Sequence, residues 1–147
     1  MGKAMFKVLG RGPWGRTVLR ATLWALMLAG LSGCMLISGE ATTIDQQGRA
    51  GNLSTQFVSA EGSEERTFQA SKVNGQLQVI AIVAVESGDL SIDLLDPSGS
   101  VVFSVAARPG AQITRSGLVP TDATGKLRYR VVTRGVRNGN YQLLFQP

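Results

Sequence analysis

Beyond residue 65 most of the chain alternates between apolar and polar residues with a period of two, the mark of extended strands that turn one face to a core. Leu77, Val79, Ala81, Val83 and Val85 fall on one face of such a strand. Ile80, Ile82 and Ala84 make its other face apolar as well, as in a strand central to a sheet. Asn74-Gly75 just before it predicts a two-residue hairpin, with residues 66–73 as the partner strand. Leu90, Ile92 and Leu94 continue the alternation as far as Asp96-Pro97-Ser98-Gly99, which carries the residues preferred along a type I turn. Val101, Phe103 and Val105 then resume it. Leu127, Tyr129 and Val131 oppose Lys126, Arg128 and Arg130 in a later strand, and Asn138-Gly139 predicts a second tight turn, into Tyr141, Leu143 and Phe145. Short strands with turns at this spacing predict an all-β fold, an antiparallel β-sandwich of jelly-roll type. Phe68, Phe103, Tyr141 and Phe145 lie on its expected core rows, while Phe57 has no assigned place.

The first 33 residues follow a different rule. Lys3, Lys7, Arg11, Arg16 and Arg20 are not answered by any acid before Glu40. Residues 18–31 are apolar apart from Arg20 and Thr22, a run shorter than the roughly 20 residues that span a bilayer. A basic start, an apolar middle and a small-residue end make a secretory signal.

That run closes on Leu31-Ser32-Gly33-Cys34, which resembles the lipobox of bacterial lipoprotein precursors. The resemblance implies a signal peptide over 1–33, recognised by its peptidase at Leu31, Ser32 and Gly33. It also implies a diacylglycerol on the Cys34 thiol and an acyl chain on the new amino terminus; no other cofactor is expected. The mature protein is then an exported, membrane-anchored component of a bacterial cell envelope. With Met35 after the cysteine instead of the aspartate that retains such proteins at an inner membrane, the expected location is the outer membrane where one exists. Otherwise it is the outer face of the plasma membrane.

Residues 34–52 read as a flexible tether, because Ser38, Gly39, Thr42, Thr43, Gln46, Gln47 and Gly48 offer little surface to bury against the entropy of ordering them. Residues 53–147 are one domain's worth of chain. Charge supports a boundary at the cysteine: five of the 15 basic residues lie in the leader, and ten remain to match ten acids. The basic pI of about 10.0 therefore belongs to the export signal, and nucleic-acid binding loses its main support. The leader string Gly10-Arg11-Gly12-Pro13-Trp14-Gly15 has dinucleotide-site spacing, but it lacks the acid that such a site places about 20 residues on.

The chain has no histidine and one cysteine, so triad nucleophiles and the usual zinc ligand sets lack raw material. Asp89 and Asp93 face the same way, but four strand residues set them about 13 Å apart, beyond the roughly 5–9.5 Å of paired hydrolytic carboxylates. No catalysis is expected. Asp89-x-Ser91-x-Asp93 copies the start of a calcium loop, yet Leu94 stands where its glycine belongs and Ser100 where its closing glutamate belongs. Asp89, Asp93 and Asp96 are thus at most minor calcium candidates. Lys126, Arg128 and Arg130, with Arg134 and Arg137 beyond, form a basic stripe that is a candidate binding surface. Glu61, Glu64 and Glu65 are placed to answer it within the same molecule, which would leave it a solvated, charge-protected edge.

Residues 88–99, Gly-Asp-Leu-Ser-Ile-Asp-Leu-Leu-Asp-Pro-Ser-Gly, followed by Val101-Val102 and by Gly139-Asn140-Tyr141-Gln142-Leu143 near the end, resemble the bacterial pre-peptidase C-terminal domain. That resemblance spans residues 66–147 and implies a jelly-roll-like sandwich used as a binding or secretion-associated module. No peptidase sequence stands among these 147 residues, so the fold and the binding role are what carry over. The expected function is a non-catalytic, lipid-anchored β-sandwich that binds an envelope protein. The alternative is a carbohydrate-binding or carboxylate-dependent hydrolytic sandwich with a polysaccharide partner.

Overall fold

The computed structural model describes residues 34–70 and 74–147. The predicted signal peptide, with Leu31, Ser32, Gly33 and the glycine-rich string, lies outside them, as do residues 71–73 of the predicted hairpin. Seven antiparallel strands make up the fold: β1 (Leu36–Ser38), β2 (Ala41–Gln47), β3 (Ala50–Gln69), β4 (Gln76–Leu95), β5 (Val101–Ala107), β6 (Ile113–Pro120) and β7 (Lys126–Gln146).

Three of these strands are far longer than a sandwich layer is wide. Tyr129 and Tyr141 both belong to β7, twelve residues apart, and in a straight strand they would stand about 40 Å apart. Their rings instead meet edge to face with centroids 5.9 Å apart, and their hydroxyls are 3.3 Å apart. Strand β7 therefore folds back over itself. Its neighbours bend with it: Phe68 of β3 packs on Phe145 of β7 at 5.0 Å.

The result is an antiparallel β-sandwich made by creasing one continuous sheet. Layer A contains β2, the first half of β3, the second half of β7, the first half of β4, and β6, in that order. Layer B contains the second half of β3, the first half of β7, the second half of β4, and β5. Register shifts between Ala60 and Gly62 and between Ser87 and Asp89 mark the crease. There Gly62 and Gly88 adopt φ of +107° and +81°, a region open to glycine at little cost. At Gly88 a Cβ would also collide with the Gly135 carbonyl.

The inward rows are those of the alternation. Leu77, Val79, Ala81, Val83 and Val85 face Leu90, Ile92, Leu94, Leu127, Tyr129 and Val131 in one core. Phe57 joins them, buried to 3% exposure. The Asp96–Gly99 turn is present, with the Gly99 amide donating to the Asp96 carbonyl at 3.0 Å, and it sends β4 into β5.

Three expectations need correction and one needs a qualification. Asn74-Gly75 does not join paired strands, because residues of β3 from 66 on pair with β7 while β4 starts between β6 and β7. The chain crosses between layers here, held by Thr121, whose amide donates to the Gly75 carbonyl at 2.8 Å and whose hydroxyl accepts from the Gly75 amide at 2.9 Å. Asn138-Gly139 likewise makes no hairpin: Asn138, at φ 46°, helps bend β7, both of whose edges are already taken by β3 and β4. Ile80, Ile82 and Ala84 lie on a central strand as expected, but their face is the half-exposed outer surface of layer A. Finally, the stretch read as a tether is drawn into the sheet, since β1 and β2 both pair with β3. Every β2 side chain is exposed, so the backbone ladder holds it, a contribution that composition does not reveal.

Candidate binding surfaces

Side chains opposite one another in a ladder share a face, so the registers define two outer surfaces of contrasting chemistry. On layer A one row runs Ser116, Ile80, Leu144, Asn52, and the next runs Thr114, Ile82, Gln142, Ser54, Thr43. A third runs Leu118, Gln78, Gln146. Aliphatic side chains hold the centre, amides and hydroxyls surround them, and Asp45, opposite Asn52 on the edge strand, adds a charge at the margin. Leu118 is 55% exposed. An apolar centre without charge inside a polar rim is the composition of a protein interface.

Layer B is charged. Lys126, Arg128 and Arg130 lie on its outer side, as their spacing predicts, and Arg130 stands between Glu65 and Asp93 in the ladders. Glu65 accepts from Arg130 at 2.6 Å and from Arg128 at 2.9 Å. Those hydrogen bonds, the one from Arg130 first, hold its carboxyl below the usual carboxylate range. Arg128 also donates to the Pro97 carbonyl at 2.9 Å. Of the other acids in the expected cluster, Glu64 pairs with Arg66 at 2.7 Å and Glu61 accepts from the Gly135 amide.

The three aspartates singled out as calcium candidates have separate occupations. Asp93 accepts from Ser104 at 2.6 Å. Asp96 accepts from the Ser98 hydroxyl at 2.6 Å and from the Ser100 amide at 2.9 Å, which lowers its pKa. Asp89 lies opposite Arg134 in the ladder. Among the described residues no three acid, cysteine or histidine side chains converge.

A further polar group joins the layers at their rim. Arg66 forms ion pairs with Glu40 and Glu64 and donates to the Tyr141 hydroxyl at 3.4 Å. Sequence reading missed this set because its members lie 26 and 75 residues apart. The aromatic side chains give a second result: Phe57, Phe68, Tyr129, Tyr141 and Phe145 are at most 6% exposed, and Phe103 is packed against the core. Among the described residues there is no exposed ring on which a sugar could stack. Cys34 is exposed.

No family model and no curated protein matches this chain. Solved structures that resemble it include the carbohydrate-binding module CBM6cm-2 of Cellvibrio mixtus lichenase 5A, in complex with cellotriose. That likeness has 15% identity and a TM-score of 0.39 over 76% of this chain and 89% of that one. The CBM22-1 xylan-binding domain of Paenibacillus barcinonensis Xyn10C has 10% identity and a TM-score of 0.39 over 76% and 84%. The C-terminal CBM6 of LamC from Zobellia galactanivorans has 14% and 0.34 over 78% and 100%.

Proposed function

We propose that the protein is an exported lipoprotein, anchored through Cys34, whose β-sandwich acts by non-catalytic binding to an envelope protein. The observation that carries the binding role is the outer surface of layer A, where Ile80, Ile82 and Leu144 sit among uncharged amides and hydroxyls. Such a face gives up little solvation of charge when a partner covers it. Two or more acyl chains suffice for stable membrane attachment, so the sandwich has no need of a span of its own. The resemblance of residues 66–147 to the pre-peptidase C-terminal domain agrees with a module that binds.

A photo-activated cross-linker at Gln142 in intact cells tests the surface, with Thr67 on layer B as the control. Capture of a discrete protein from Gln142 alone is expected, and equal labelling from both positions refutes the assignment. Anchoring has its own assay: Cys34→Ser should release the protein from the envelope fraction. Both tryptophans, Trp14 and Trp24, precede the cleavage point, so the native product should lack tryptophan fluorescence.

The same Gln78, Gln142 and Gln146 amides supply paired donors and acceptors and favour a second reading, a polysaccharide ligand held by hydrogen bonds. Glycan-array binding that is lost on Gln142→Ala would put this reading first.

A further inference from the structure

The crease where the strands pass from layer A to layer B is also where the chain reaches Cys34. A Cβ on Gly62 would stand 3.0 Å from the Cys34 carbonyl oxygen, and β1 starts two residues later, paired with the crease end of β3. Two extended residues reach about 7 Å, less than the Debye length of about 8 Å at physiological salt. Acyl chains on Cys34 would hold this edge of the sandwich within electrostatic range of lipid headgroups.

The edge is chemically suited to that neighbour. Gly62 lines a cleft of about 530 Å³ that also touches Glu61, Asp89, Arg108 and Arg134. Glu61 continues into a second cleft of about 310 Å³, which adds Leu36 and Arg137. Arg128 and Arg130 are answered by Glu65. The exposed side chains of Arg108, Arg134 and Arg137, in contrast, make no hydrogen bond or ion pair among the described residues. Leu36 is 73% exposed beside them.

We infer that the crease is the face with which the domain docks on the bilayer that holds its anchor. Guanidinium groups of Arg108, Arg134 and Arg137 take lipid phosphates, and Glu61 and Asp89 face the ammonium groups of zwitterionic headgroups. Leu36 enters the interface. The mixed signs select a phospholipid surface over a purely anionic polymer, and the basic stripe of layer B stays clear of it. This inference rests on acylation of Cys34. It adds an orientation, crease down, that leaves the outer surface of layer A free for a partner.

The test couples the full chain through Cys34, its sole cysteine, to maleimide-bearing phosphatidylethanolamine in vesicles of phosphatidylethanolamine and phosphatidylglycerol. Arginine reactivity toward phenylglyoxal is then compared with that of the chain blocked at Cys34 and free in solution. Arg108, Arg134 and Arg137 should become at least about fivefold less reactive, while Arg49 and Arg115 do not change. The triple serine variant, which removes no hydrogen bond or ion pair among the described residues, should lose the vesicle-induced hydrogen-exchange protection of Glu61–Ser63. Uniform arginine reactivity, or protection that survives in the variant, overturns the docking whatever the state of Cys34 in cells. Mass spectrometry of the product extracted from host membranes reports separately on the anchor: absence of acyl chains there overturns the premise without touching the footprint.

Discussion

Arg66, on layer B, is ion-paired with Glu40, which stands between β1 and β2 at the start of the outermost strand of layer A. The pair fastens a strand none of whose side chains is buried in the core. Hydrogen bonding from Arg66 holds the Glu40 carboxyl below its ordinary value of 4.5. A carboxylate depressed in this way contributes stability above its unfolded value and loses it as pH falls through the lower folded value. The amides of β2 should therefore lose protection, measured against the intrinsic exchange rate at each pH, below about pH 4 and ahead of the core. Glu40→Gln should produce the same change at neutral pH, about fivefold, or about 1 kcal/mol for a partly exposed pair. Exchange in β2 that is unaffected by the substitution would show that the ladder alone holds the strand.

Gly88 makes the crease possible through its positive φ and through its contact with the Gly135 carbonyl. Gly88→Ala is expected to lose at least about 2 kcal/mol, read as a lower urea midpoint at constant slope. A neutral result would mean that β4 bends elsewhere.

Phe57 rests on Gly139, where a Cβ would come within 2.6 Å of the ring. Truncation to alanine leaves a cavity in the core, so Phe57→Ala should cost about 3–5 kcal/mol in chemical denaturation. Gly139→Ala should also destabilise, because ring and methyl cannot share the space.

Glu65 serves both Arg128 and Arg130 from an exposed position. Glu65→Gln should barely move the melting temperature, since exposed pairs contribute little. It should nonetheless strengthen salt-sensitive retention on a sulfated matrix, because two guanidinium groups lose their carboxylate. Unchanged retention would mean that Lys126 and its neighbours are held by other partners.

The alternation of Leu77 to Val85 and of Leu127 to Val131 was enough to read the core, because burial on one face of a strand imposes a period that survives any topology. The Asp96–Gly99 turn was legible for the same local reason. Asn74-Gly75 and Asn138-Gly139 were misread because a turn's backbone chemistry does not say whether the chain returns to its neighbour or crosses to the other layer. Which edges are already occupied decides that, and those edges lie dozens of residues away. Phe57 was overlooked because Thr55, a buried polar residue, interrupts the apolar row that Leu53 begins. Strand β2 was overlooked because Ile44 is its one large apolar residue, too little to show an alternation. As for candidate surfaces, the spacing of Lys126, Arg128 and Arg130 was visible, but Glu65, the partner that Arg128 and Arg130 share from 63 and 65 residues away, was one of three equivalent acids. The uncharged rows of layer A come from three to five separate strands and exist only once the registers are set.

Strands β3, β4 and β7 each supply a part of both layers, so the two halves of this sandwich share a covalent spine in three places. Neither half can melt while the other persists, and denaturation should follow one transition by every probe. New termini are tolerable at the Asp96–Gly99 loop, where a single strand boundary is crossed. A cut at Gly62, Gly88 or Gly135 would separate what the molecule keeps joined, and neither fragment would hold a complete layer.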